Sequence, residues 1–125
     1  MSIETIANRL VELCRTGQHE QAYHELFADN ASAHEMPGYP QNEITIGKEA
    51  ILKKGEAWSK DVAEVLKMEV TDPLIYGNHF AIGMGIQLKK KDGTIGAFEQ
   101  EICVYEIQDG KIVSERFIYS MPEGM

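Results

Sequence analysis

The sequence predicts an α+β fold, with three helices first and a mostly antiparallel sheet after them. Two observations carry the prediction. Up to Val62 the long apolar stretches recur at the 3.6-residue helical period, and beyond it the residues alternate at period two. Three hairpin signals, Gly77-Asn78, Asp92-Gly93 and Asp109-Gly110, then divide the second half into neighbouring strands, an antiparallel meander. Helices that precede strands in this way pack together on one face of the sheet.

The first helix is written in Ile3, Ile6, Ala7, Leu10, Val11, Leu13 and Cys14, which share one face. Ser2 suits its N-cap, Arg15 its last turn, and Gly17 the left-handed stop. A second helix is expected from His19 to Ala28, with Ala22, Tyr23, Leu26 and Phe27 as its stripe and Asp29-Asn30 as its breaker. A short strand, Ala31 to Met36, leads into a loop that Pro37 and Pro40 stiffen. Another short strand covers Glu43 to Ile46. A third helix runs from Lys48 to Val62, with Ile51, Leu52, Gly55, Trp58 and Val62 on one side.

The strands follow. Val65 to Val70 is interrupted by Asp72-Pro73 and continued by Leu74 to Tyr76. His79 to Lys90, Thr94 to Ile107 and Lys111 to Ser120 complete the sheet. Several of these are apolar on both faces. The stretch Phe80 to Leu88 places Phe80, Ile82, Met84, Ile86 and Leu88 on one side and Ala81, Gly83, Gly85 and Gln87 on the other. Three helices cannot cover both faces of a long bent sheet, so a homodimer through the outer sheet face is expected.

Composition bounds the function. The 125 residues make a single domain, residues 1–125. At 14.0 kDa the folded chain keeps about 6,700 Å² accessible against about 20,000 Å² unfolded, enough burial for one real core. Hydrophobic residues are 43% and charged residues 26%, which excludes disorder and low-complexity classes. No apolar run approaches a membrane span, and the start of the chain lacks a basic, then apolar, leader, so a cytoplasmic protein is expected. Twelve basic against twenty acidic residues give a net charge of −8, which disfavours nucleic acid and anionic membranes as partners. Cys14 and Cys103 are too few for a disulfide framework or a thiolate zinc site and read as buried free thiols. Four histidines without an i, i+4 pair make no metal site, and no phosphate loop or nucleophile elbow is present. Neither metal nor cofactor is expected.

The order of elements, with the Phe27-Ala28-Asp29-Asn30-Ala31 helix exit and the Asp109-Gly110-Lys111-Ile112-Val113 hairpin, resembles the SnoaL-like family. That family shares its cone with nuclear transport factor 2 and ketosteroid isomerase. The resemblance covers nearly the whole chain. It implies a strongly curved sheet wrapped around a helix-lined pocket, a cone-shaped α+β barrel, usually dimeric. It also implies a small hydrophobic molecule as ligand, because members isomerise steroids, cyclise polyketides or open epoxides. Laid on the ketosteroid isomerase pattern, the general base falls on Glu35, the oxyanion tyrosine on Leu10 and the protonated aspartate on Cys103. The SnoaL-type cyclases place an acid/base aspartate near this last position. The base survives and both donors are lost. A lost donor typically costs about 10²–10³ in rate, so ketosteroid isomerisation by the usual mechanism is not expected.

If Cys103 points inward, alternation brings Glu99, Glu101 and Tyr105 with it. A three-residue Gln108-Asp109-Gly110 loop pairs Cys103 with Glu115 and Glu101 with Phe117, and turns Val113 and Tyr119 inward. A two-residue turn brings Arg116 in instead. The bulged loop suits the family's inward acidic and aromatic residues. The same choice at Lys91-Asp92-Gly93 sets Gly83 and Gly85 opposite Glu101 and Glu99, leaving room for a ligand. The candidate catalytic residues are therefore Glu35 and Glu101. The candidate ligand-binding residues are Trp58, Gly83, Gly85, Cys103, Tyr105, Glu115, Phe117 and Tyr119. Burial in an apolar hollow raises a carboxyl pKa, and clustering raises at least one further, which suits acid/base work beside a carbonyl. The competing readings are exposed glutamates or a Glu–Arg116 pair, core packing for the aromatics, and a non-catalytic binding or interaction domain.

Overall fold

The computed structural model of the chain describes residues 1–39 and 43–120. Helix α1 spans Ile3–Arg15 and buries Ile6, Ala7, Leu10, Val11, Leu13 and Cys14. The Ser2 hydroxyl accepts the Thr5 amide at 3.2 Å, and Gly17 adopts φ of 73° where the helix stops. Helix α2 spans His19–Leu26 and runs directly into strand β1, Phe27–His34. Strand β2 is Ile44–Ile46, and helix α3 is Lys48–Ser59. Five strands follow: β3 Val62–Val70, β4 Leu74–Tyr76, β5 His79–Lys90, β6 Glu99–Gln108 and β7 Lys111–Ile118.

Several boundaries differ from the sequence reading. The strand after α2 begins at Phe27 and ends at His34, and Asp29 and Asn30 stand exposed where its pairing with β7 is irregular. They mark a bulge, not a helix breaker. Helix α3 stops at Ser59, and Val62 belongs to β3, where it pairs with Lys90. Strand β6 begins at Glu99 instead of Thr94. Pro40, the second proline of the expected stiff loop, lies outside the described residues.

One seven-stranded sheet has the order β2-β1-β7-β6-β5-β3, with β4 continuing β3 along the same edge of β5. All pairings are antiparallel except β1 with β7, which is parallel. The fold is α+β as expected, with the helices against a curved sheet that stays open instead of closing into a barrel. The core joins the α1 stripe to Leu26 and Phe27, to Phe80 and Ile82 on β5, to Cys103 and Tyr105 on β6, and to Ile112 on β7. Phe80 and Tyr105 stack with centroids 4.8 Å apart. Arg15 ties the end of α1 to the sheet, donating to the Val70 carbonyl at 2.8 Å and to Asp72 at 3.0 Å. Cys14 and Cys103 are buried and unbridged. No described helix is long and apolar enough to cross a membrane.

Two register details decide which side chains meet the helices. At the β6–β7 hairpin, Asp109 and Gly110 both take positive φ, 51° and 74°, a two-residue turn. A bulge follows in which Val113 is the extra residue, so Tyr105 pairs with Glu115 and Cys103 with Phe117. The pairing is thus two residues from the one expected, and an even shift preserves faces. Glu115 and Phe117 remain inward, and Arg116 remains outside. At the β5–β6 connection the expected register holds at Lys89–Ile95, then slips by one residue across Gly96–Phe98, so that Met84 pairs with Glu101. An odd shift reverses faces. Met84 and Ile86 turn inward, and Gly83 and Gly85 turn to the convex side, contrary to the expected ligand-facing role. Phe98 explains the need for glycine there: its ring fills the place a Cβ on Gly85 would take, and Lys67 lies 4.3 Å above it.

The α1 cap yields a direct check. Ser2→Ala removes the acceptor for the Thr5 amide and should lower stability by about 1 kcal/mol in urea unfolding. Ser2→Asp, which keeps an acceptor, should lose almost nothing.

Candidate functional site

A cavity of about 660 Å³ opens between α2, α3 and the inner face of the sheet. Its polar groups come from five elements. Glu35 follows β1, where its amide donates to the Glu43 carbonyl at 2.7 Å and extends the β1–β2 ladder by one step. Alternation from buried Ala33 then aims the Glu35 side chain inward, and only 13% of it is exposed. Its two oxygens are both engaged. Lys54 on α3 donates to one at 2.9 Å, and the Tyr119 hydroxyl donates to the other at 2.7 Å. Burial and the Glu35 contact push the Tyr119 phenol up, so it stays a neutral donor.

Glu115 on β7 is the most enclosed acid, 2% exposed. The Tyr23 hydroxyl on α2 donates to it at 2.7 Å. Burial drives its pKa up to about 8; the Tyr23 bond opposes this, while the charge of Glu101 adds to it. Glu101 on β6 is half-buried and, among the described residues, has no cation in contact. Burial raises its pKa to about 7, with the Cys103 thiol 3.6 Å away opposing and Glu35 and Glu99 reinforcing. Burial pushes the thiols of Cys14 and Cys103 and the phenols of Tyr23 and Tyr105 upward too, so none of them is an anion near neutral pH.

The structure thus brings Glu35, Glu101, Glu115, Phe117 and Tyr119 to one cavity. Trp58 also borders it but is 56% exposed, so it stands at the rim and not in the core. Tyr105 lines a neighbouring lobe, and Cys103 lies buried behind Glu101 without bordering either space. Gly83 and Gly85 are absent from it for the register reason given above. Two contributors went unnoticed in the sequence, Tyr23 and Lys54. Both carried a signal: each is a polar-tipped residue within an apolar helical stripe, Tyr23 beside Leu26 and Phe27, and Lys54 between Ile51 and Trp58. Among the described residues no group of three His, Cys, Asp or Glu side chains is arranged to hold a metal ion.

An open, curved sheet covered by three helices is a cystatin-like fold. The chain belongs to the SnoaL-like family, whose domain model matches residues 1–119. A similar solved structure is a Mesorhizobium loti protein provisionally named a SnoaL-like polyketide cyclase. It is 30% identical, with 95% of this chain and all of that one covered and a TM-score of 0.86. An NTF2-like protein of unknown function from Burkholderia pseudomallei shares the fold at 12% identity, covering 96% and 92% of the two chains, with a TM-score of 0.76. TerC, co-crystallised with polyporic acid, does so at 11% identity, covering 95% and 92%, with a TM-score of 0.75. No curated protein matches the chain.

The raised carboxyls make stability depend on pH. Folded Glu101 and Glu115 hold their protons to about 7 and about 8, against an ordinary 4.5. The folded state therefore binds more protons than the unfolded state in that window. Stability present below the ordinary value is lost as pH rises through the raised ones. Glu115→Gln keeps an acceptor for Tyr23 and cannot ionise. It should flatten the decline between pH 5 and 9 in urea unfolding. At pH 9 it should exceed the wild type by on the order of 2–4 kcal/mol.

Proposed function

We propose that the protein binds a small, mostly apolar molecule bearing a polar handle, and moves a proton on it without a cofactor. The reading rests on Glu101: a half-buried carboxyl at the meeting of the cavity's polar and apolar walls, free of cation contact among the described residues, with its pKa brought to about 7 by burial. A general acid/base works best when it titrates near the operating pH. Glu35, the base that the family pattern suggests, has both of its oxygens already engaged by Lys54 and Tyr119. Glu115, kept protonated by burial, can donate its own proton to a ligand oxygen while Tyr23 holds its other oxygen. A cavity of about 660 Å³ argues for a ligand and against a cone filled by its own side chains. Polyketide cyclase chemistry, named for the Mesorhizobium relative, is one activity of this kind.

The test is carbon-bound hydrogen exchange on a bound straight-chain methyl ketone in deuterated water, followed by NMR. Exchange beside the carbonyl should be faster than in buffer, and Glu101→Gln should slow it by about 10² or more. Exchange no faster than in buffer would remove the proton-transfer role and leave a binding protein.

A homodimer through the convex sheet face is the second part of the proposal. Exposed Ile102 and Ile118 pair directly on that face, and Ile44 and Ile46 are exposed on the strand at its edge. Light scattering at micromolar concentration should give twice the 14.0 kDa chain mass, and Ile118→Asp should halve it. A monomeric mass for the wild type would exclude the dimer.

A further inference from the structure

The cavity continues into a second lobe of different character. The first lobe carries Glu35, Lys54, Tyr39 and Tyr119. The second, about 880 Å³, runs between α1, α2, α3 and β3, and Leu10, Phe27, Leu52, Val65 and Met68 belong to it alone. Arg15 and Glu20, both exposed, stand at its solvent side. Tyr23, Trp58, Met84, Glu101, Glu115 and Phe117 border both lobes. The acid pair therefore sits at the junction, with a charged lobe on one side and an apolar lobe on the other.

Among the described residues Lys54 is the only cationic side chain bordering the first lobe. Its ammonium has three donors, and Glu35 is its one side-chain acceptor among the described residues. A donor is thus left for a ligand oxygen. Four carboxyls, Glu35, Glu99, Glu101 and Glu115, border the same lobe against this one cation. An anionic head would meet an excess of like charge, whereas a neutral oxygen would not.

We propose that the cavity selects an elongated, uncharged molecule whose carbonyl or hydroxyl oxygen accepts a hydrogen bond from Lys54, while its apolar body passes the Glu101–Glu115 junction into the second lobe. Lys54 is then the specificity-determining residue for the head, and the second lobe reads the length of the body. The proposal rests on the ligand-binding reading above.

Calorimetric titration with methyl ketones of eight, ten and twelve carbons, and with alkanoates of the same lengths at pH 8, tests it. The emission of the single tryptophan, Trp58, reports whether binding occurs at the cavity rim. Ketone affinity should rise up to about fourfold per added methylene. Each alkanoate should bind at least about tenfold more weakly than its ketone. Lys54→Met should weaken the ketones about fivefold to tenfold, and Lys54→Arg should restore them. Val65→Trp narrows only the second lobe and should abolish the gain from the last carbons. Should that variant fail to fold, the wild-type length and charge series decide by themselves. Ketone binding without dependence on length, or equal alkanoate binding, or no effect of Lys54→Met, overturns this inference and leaves the broader reading standing. If no ketone or alkanoate moves the Trp58 emission or gives a heat, the small-molecule reading falls with it.

Discussion

Glu101, Cys103 and Tyr105 face the helices because β6 is pinned between two neighbours whose registers are set by single extra residues. On the β7 side, the bulge at Val113 lets buried Ile112 and buried Glu115 share the inner face although three positions separate them. On the β5 side, the slip across Gly96–Phe98 sets Met84 opposite Glu101. A one-residue change in either place would exchange the inner and outer sets, putting Ile102 and Val104 inside and the acids in water. The hydrophobic cost of that exchange holds the register, and the register holds the chemistry. Phe98 over Gly85 secures the second of these on the outside of the sheet.

The interior gathers acids faster than it gathers cations. Three glutamates meet one lysine, and burial makes ionising them all too costly, so protons are retained on Glu101 and Glu115. The lysine pairs with Glu35 alone among them. The resulting gradient runs from Glu101, poised near neutrality, to Glu115, which holds its proton higher still, while Glu35 is paired with the lysine. Such a gradient lets neighbouring groups of the same chemical type play acceptor and donor at once.

The element order was readable from period alone, since the change at Val62 and the three glycine turns are local signals. The α1 cap and stop at Ser2 and Gly17 were readable for the same reason. The inward face of β7 was also recoverable, because an error of two residues leaves alternation intact. The glycine face of β5 was not. The slip that turned Gly83 and Gly85 outward depends on Phe98 finding a seat across the sheet, a long-range fit with no local signature. Asp29-Asn30 misled because the same polar pair serves a helix end or a strand bulge, and the parallel partner β7 decided between them. Lys54 and Tyr23 were visible as residues, but only packing shows that their polar tips converge on acids from β1 and β7.

The parallel alignment of β1 with β7 joins Phe27 to Ile112, which helix α3 and five strands separate in the chain. During synthesis the first helix, with the second against it, can pack on β3 and β5 as these emerge, but one edge of β1 stays unpaired until β7 leaves the ribosome. Closing so long a loop is entropically expensive and rewarded only at the end. Nascent chains of this topology should depend on chaperones that shield early hydrophobic segments, and a truncation just before β7 should aggregate instead of folding in part.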